Sequence, residues 1–179
     1  MAGAVGMYVR TMPPTPDGPD GAPGEYSSTE NRPLAGYVGL IGLYSLTVGA
    51  LALAVRRRRQ PLGRMGPYDL VLAAVATHKL SRLITKDSIT SPLRAPVVRY
   101  VEPAGGGEVN EEVRVDGALH ALGELAVCPI CLDVWIATAL VGGLALAPRA
   151  SRLVASILSV TAASNALHYG WDALKKTEQ

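Results

Sequence analysis

Uncharged apolar runs alternate with charged stretches along this chain, and the longest run sets the first element. Residues 34–55, LAGYVGLIGLYSLTVGALALAV, are 22 residues without a charge. About 20 helical residues cross a hydrocarbon core, so this run predicts a transmembrane helix. IATALVGGLALA, residues 136–147, extended back to Ile130, predicts a second span of about 18 residues that stops at Pro148. LVASILSVTAASNALHYGW, residues 153–171, predicts a third. Ala139, Gly143 and Ala147, and then Ala155, Ser159 and Ala163, recur every four residues, the spacing that lets helices approach closely in lipid. With only PRASR between them, 130–147 and 153–171 are expected to form an antiparallel hairpin. Tyr169 and Trp171 fall where an interfacial aromatic belt belongs.

Residues 67–85 carry a weaker pattern. Their uncharged stretch runs only from Leu70 to Thr77, after which His78, Lys79 and Arg82 would sit at membrane depth, where ionisable groups are costly. Basic residues next to a span mark its cytoplasmic side, and RRRR follows the first run directly at 56–59. If 67–85 lies on the inner face or enters only partly, thirteen of the seventeen Lys and Arg are cytoplasmic, so this placement is favoured. The fold class expected is an all-α integral membrane protein: three transmembrane helices, one partial or interfacial helix, and a polar insert facing the cytoplasm.

The insert, 86–127, changes period. VVRYVE (97–102) and EEVRV (111–115) alternate branched apolar with polar residues around PAGGGEVN, which predicts a small β-hairpin. Asp116 can then cap a short helix, GALHALGELAV. The flanks complete the organisation: a Pro/Gly-rich tail at 1–33 expected to be disordered, a basic linker at 56–66, and a polar tail at 172–179. The whole of 67–171 reads as one domain. MAGAVGMYVR lacks the basic-then-apolar order of a signal peptide.

Composition agrees with a membrane assignment: 49% of residues are hydrophobic, with no Phe. A net charge of +2 is too mild to point to nucleic acid, and the arginines at 56–59 abut a span, so they read as a topology signal. AGGGEVN lacks the strand before and helix after that a nucleotide loop needs. No Ser/His/Asp set or HExxH occurs.

Three chemistries remain open for Cys128 and Cys131, the only cysteines. Pro129 is a favoured first helical residue, so Cys128 falls near a helix N-terminus, where a thiolate is stabilised. That suits a redox couple, although Asp133 opposes it and a reducing compartment would too. Zinc requires four ligands; His120 can be a third beside the two thiols and His78 a fourth, or two copies can pool their cysteines. Two weakly polar residues packing a helix start is the third reading. In LSRLITKDSITSPLRAP, the residues Arg82, Lys86, Asp87 and Arg94, with Arg99 beyond, can either close a turn through local bonds or present a surface to lipid phosphate or a protein partner. His168 and Asn165 are expected to hydrogen-bond a neighbouring helix.

ATHKLSRLITKDSITSPLRAPVVRY, EVNEEVR, GELAVCPICLDVW and APRASRLVASILSVTAASNAL, in that order, resemble a bacterial membrane family called domain of unknown function 1360, over residues 67–170. Some of its members carry the label of a sporulation protein. Asp133 departs from the small or uncharged residue frequent there. The resemblance implies a multi-pass protein of the bacterial inner membrane and supplies no activity. The expected role is a non-enzymatic anchor, scaffold or assembly partner, in contact with lipid and with a protein partner or a second copy. The alternative is a thiol-disulfide oxidoreductase or metal-binding protein using Cys128 and Cys131.

Overall fold

The computed structural model describes residues 34–58 and 65–177; the tail at 1–33, most of the linker after Arg58 and the last two residues lie outside them. The elements are α1 (Leu34–Arg57), α2 (Pro67–Thr85), α3 (Ser91–Arg94), β1 (Val98–Gly105), β2 (Glu108–Val113), α4 (Ala118–Val127), α5 (Pro129–Leu146) and α6 (Pro148–Thr177), with a single 3-10 turn at Ser88–Thr90.

Proline opens α2, α5 and α6, at the one helical position where a missing N–H costs nothing. At α2 the Asp69 carboxylate also accepts the Gly66 N–H at 3.2 Å, a side-chain cap that fixes the start of the helix. The core forms where α2 packs lengthwise against α5 and α6: Ala76, Ile136, Leu140 and Ala155 are buried, with Leu72, Leu80, Leu132 and Leu158 around them. Ala76 and Ala155 let the backbones come close, and Ser159 Oγ donates to the Leu72 carbonyl at 3.1 Å.

Side-chain bonds give the helix directions. Asp69 meets Arg152 near the start of α2 and α6, and Lys79 meets Asn165 further along both, so these two helices are parallel. Between α5 and α6 the chain reverses at Ala147, so α5 is antiparallel to both. Helix α1 runs parallel to α5: Tyr37 bonds Glu124 at 2.6 Å, Tyr44 bonds Thr138 at 2.9 Å and stacks edge-on against Trp135, and Arg58 reaches the Ala145 carbonyl at 3.5 Å. At Gly142 a Cβ would lie 2.6 Å from Leu51, so glycine is what allows that contact. The polar insert therefore sits at the end of α1 opposite Arg56–Arg58.

The expectation of three transmembrane helices is corrected by this structure. It is mostly helical with a two-stranded antiparallel sheet. Only two of the described helices, α1 and α5, are long and apolar enough to cross a membrane. The run at 153–171 is part of the 30-residue α6, and Ser156, Ser159, Thr161, Ser164, Asn165 and His168 dilute its apolar content below that of a span. Nor does 67–85 lie apart as a partial or interfacial helix. It is a full helix with Asp69, Thr77, Lys79, Ser81 and Thr85 buried, because α5 and α6 cover its polar side.

Strands β1 and β2 pair from Val98↔Val113 to Gly105↔Glu108, with two register shifts. The loop after α2 ties the sheet down: Asp87 bridges Glu108, Ser88 N–H donates to Gly107 O at 3.0 Å and Val109 N–H to Lys86 O at 2.9 Å.

Candidate polar site between α2, α6 and the hairpin turn

Helix α2 ends at Thr85 and the chain doubles back through Ser88–Arg94, so that Arg94 points under its own loop. Arg94 is 2% exposed. Its Nε donates to Glu111 at 2.5 Å, Nη1 to Thr90 Oγ1 at 2.7 Å and to the Ile84 carbonyl, and Nη2 to Asp87 O and Ser91 Oγ, each at 3.2 Å. Ser91 Oγ bonds the other Glu111 oxygen at 2.8 Å. Burial pushes the Glu111 carboxyl up, but the hydrogen bonds from Arg94 and Ser91, with the charges of Arg94 and Lys86, outweigh it and hold the group below its ordinary value. This is a clamp joining the loop to β2.

The five residues read from the sequence as one surface are thus divided. Arg94 is inside the clamp. Lys86 is half-buried, and its carbonyl belongs to the hairpin joint. Arg99 is exposed on β1 and pairs with Glu112 at 2.7 Å. Arg82 remains, lining a cavity that the sequence reading did not anticipate, and Asp87 pairs with Lys79, which lines it too.

That cavity, of about 280 Å³, is lined by His78, Lys79, Arg82 and Glu108 on one side and by Ala162, Asn165, Ala166 and Tyr169 on the other. Arg82 grips Glu108 through two hydrogen bonds, 3.1 and 2.5 Å. Lys79, 8% exposed, has Asp87 at 3.6 Å. With the Asn165 amide turned so that its nitrogen donates to Thr161 O, its oxygen accepts from Lys79 Nζ at 3.0 Å. A second cavity of about 220 Å³ adjoins it, sharing Asn165 and Tyr169 and reaching Gly106, His168 and Asp172. Gly106 has φ +62°, and a Cβ there would stand 2.8 Å from the Tyr169 hydroxyl, so both backbone and space call for glycine. The available signal in the sequence was a pair of ionisable residues, His78 and Lys79, interrupting an apolar helix, which marks a functional position in membrane proteins.

The cysteines stand elsewhere, at the start of α5. Both are free, Cys128 half-buried and Cys131 exposed, and Cys128 Sγ accepts the Cys131 N–H at 3.2 Å, a cap on the helix. His120 is engaged by the Val115 carbonyl at 3.0 Å and by Glu124 at 3.6 Å. Among the described residues no three His, Cys, Asp or Glu converge as a metal site would require.

A family described as "Protein of unknown function (DUF1360)" matches residues 72–171, more than half of the chain, covering α2 to most of α6. No curated protein and no solved structure matches. The chain belongs to the DUF1360 family, whose description names no activity and carries neither a bacterial origin nor a sporulation role.

Proposed function

We propose that this protein is a non-enzymatic, membrane-embedded scaffold, in which α1 and α5 run through a bilayer and hold a rigid polar cap at one surface. The observation that carries this reading is α1: its most apolar 18-residue stretch has a mean hydropathy of 2.1 and none of it is buried in the molecule. Leu46 is 73% exposed and Val38 67%, far more apolar surface than a helix in water tolerates; lipid is the solvent in which it costs nothing.

Because α1 and α5 are parallel, the chain between them must return across the same thickness. Helix α2 is not apolar enough to cross as a lipid-facing span, but its 19 residues extend about 28 Å, close to the hydrocarbon depth, and it makes the return inside the bundle, packed on α5 and α6. Its buried polar groups are satisfied from within, Asp69 by Arg152, Lys79 by Asp87 and Asn165, and Thr77 and Thr85 by carbonyls one turn back, as a low-dielectric setting requires. Both apolar helices are followed closely by basic residues, Arg56–Arg58 after α1 and Arg149 and Arg152 after α5. RRRR at 56–59 is the densest basic cluster beside a span; on that signal this end is taken as cytoplasmic, and the cap with Cys128 and Cys131, together with Arg32, Lys86, Lys175 and Lys176, lies on the opposite side. That reverses the side expected from counting all basic residues, a count which took 67–85 not to cross.

An impermeant maleimide applied to intact cells tests the reading through the exposed Cys131. Labelling without permeabilisation is expected; labelling only after permeabilisation reverses the orientation, and release of the protein by alkaline carbonate removes the membrane assignment altogether.

A further inference from the structure

We propose that the paired cavities between α2, α6 and the hairpin turn bind the headgroup of an aminophospholipid, phosphate at the Lys79–Arg82 end and primary ammonium at Asp172. This rests on the membrane reading above.

One end of the cavities holds Lys79 and Arg82, with His78 and the Glu108 carboxylate beside them; the other holds Asp172. Asp87 and Glu108 already neutralise the two cations formally, so the site as a whole does not attract a bare anion. Donors nevertheless remain. Lys79 Nζ has three protons and two partners among the described residues, and no hydrogen bond among those residues uses Arg82 Nη1. A phosphodiester accepts from both, in the geometry for which guanidinium is suited. Asp172 makes no ion pair or hydrogen bond among the described residues and sits across Asn165 and Tyr169 from the cations. A zwitterion carrying phosphate and ammonium engages both ends; a phosphate alone leaves Asp172 unused.

The location suits a lipid. Arg82 is three residues before the end of α2, about 5 Å of helix, so its long side chain can carry the guanidinium out to the headgroup layer. Helix α6, at 30 residues, is about 45 Å long, and Asp172, seven residues or about 10 Å beyond Asn165, lies further out along it than the Lys79 contact. Towards the start of α2, Val71 and Val75 are exposed on the face that bears His78 one turn later, and give acyl chains an apolar track below the headgroup. Ala162 and Ala166 form the small apolar wall against which the glycerol end rests.

The full chain, purified in detergent, is offered phosphatidylethanolamine, phosphatidylglycerol and phosphatidylcholine with identical acyl chains at equal concentration, and retained lipid is read by native mass spectrometry. Phosphatidylethanolamine should be retained about tenfold over the other two, the discrimination that one charge-assisted hydrogen bond confers, because a trimethylammonium has no proton for Asp172 and glycerol has no charge. Asp172→Asn, a change at an exposed residue, should erase that preference while leaving phospholipid bound. Ala166→Trp, which fills the cavity from a similarly exposed position, should remove retention of all three. Equal retention of the three lipids by the wild type, or an unchanged preference in Ala166→Trp, overturns the assignment. So does displacement by soluble phosphoethanolamine at equal concentration, which would make a soluble phosphoester the ligand. Carbonate extraction of the same protein reports separately on membrane embedding, so failure of the headgroup site and failure of the membrane reading are distinguishable.

Discussion

Helices α1 and α2 are both long enough to cross a bilayer and are built in opposite ways. Of the 24 residues of α1 only Gly36 is buried, and most of its apolar side chains are exposed. Of the 19 residues of α2, seven are buried, and five of these are polar or charged. On the proposed membrane arrangement α1 is apolar because of what surrounds the protein, and α2 is polar because of what the protein puts around it. Hydropathy reads the first kind of helix directly and misreads the second, since shielding by α5 and α6 is a property of the fold.

The sharpest way to break this contrast is at the clamp that α2 delivers to the cap. Arg94→Met leaves Glu111, 4% exposed at its side chain, without a counter-charge. Breaking a buried pair on one side costs about 3–5 kcal/mol, so the variant is expected to unfold that much more easily in detergent, as read by chemical denaturation. A loss below about 1 kcal/mol, the range of an exposed pair, would mean that water reaches the carboxylate and that the cap is looser than the hydrogen bonds imply.

Acid tests the same clamp without a mutation. The Glu111 carboxyl is held below its ordinary value of 4.5, so its contribution is complete above that pH and is lost as pH falls through the lowered value. The unfolding midpoint should be level around neutral pH and should drop below about pH 4.5; Glu111→Gln should flatten that part of the profile. An acid limb unchanged in the variant would assign it to other carboxylates.

The first helix and the hairpin were legible in short-range patterns, and the part that was not depended on contacts distant in sequence. The uncharged run at 34–55 and the alternation around PAGGGEVN are local signals, and α1 and the β1–β2 hairpin occupy nearly those positions, although the strands are displaced by one to three residues because Pro103 and Gly105 extend β1. The 153–171 run misled because Ala, Ser and Leu suit a lipid-facing helix and a helix packed on α2 equally; Ala155 is 1% exposed. The candidate site was legible only in part. Arg82 and Asp87 stood out within one segment, whereas their partners Glu108 and Lys79, and Asn165 that in turn bonds Lys79, come from three elements, and Arg94 and Arg99 were grouped with them only by proximity along the chain. Sidedness was the least legible feature, since it turns on whether α2 returns across the bundle.

Glycines on α1 refine the comparison at smaller amplitude. A Cβ at Gly36 would lie 2.8 Å from the Ala118 carbonyl oxygen and 2.9 Å from Ala121 Cβ, while at Gly39 nothing lies within 4 Å. Gly36→Ala is expected to cost about 1–3 kcal/mol through overpacking against α4. Gly39→Ala should be neutral or gain up to about 1 kcal/mol from helix propensity. Equal effects of the two would show that α1 does not rest on the cap where its one buried residue places it.

The smallest effect is expected where a salt bridge is most visible and least enclosed. Arg99 and Glu112 face each other across β1 and β2 with side chains 66% and 52% exposed, so water and salt compete with the pair at all times. Arg99→Ala should change stability by about 0.2–1 kcal/mol, and less as ionic strength rises. Set against Arg94→Met, the same side-chain chemistry a few residues away, it isolates burial as the variable. If Arg99→Ala instead approached the cost of Arg94→Met, the outer face of the hairpin would have to be covered in the protein as it works, by a membrane surface or a second protein, and the cap would be an interface on both of its sides.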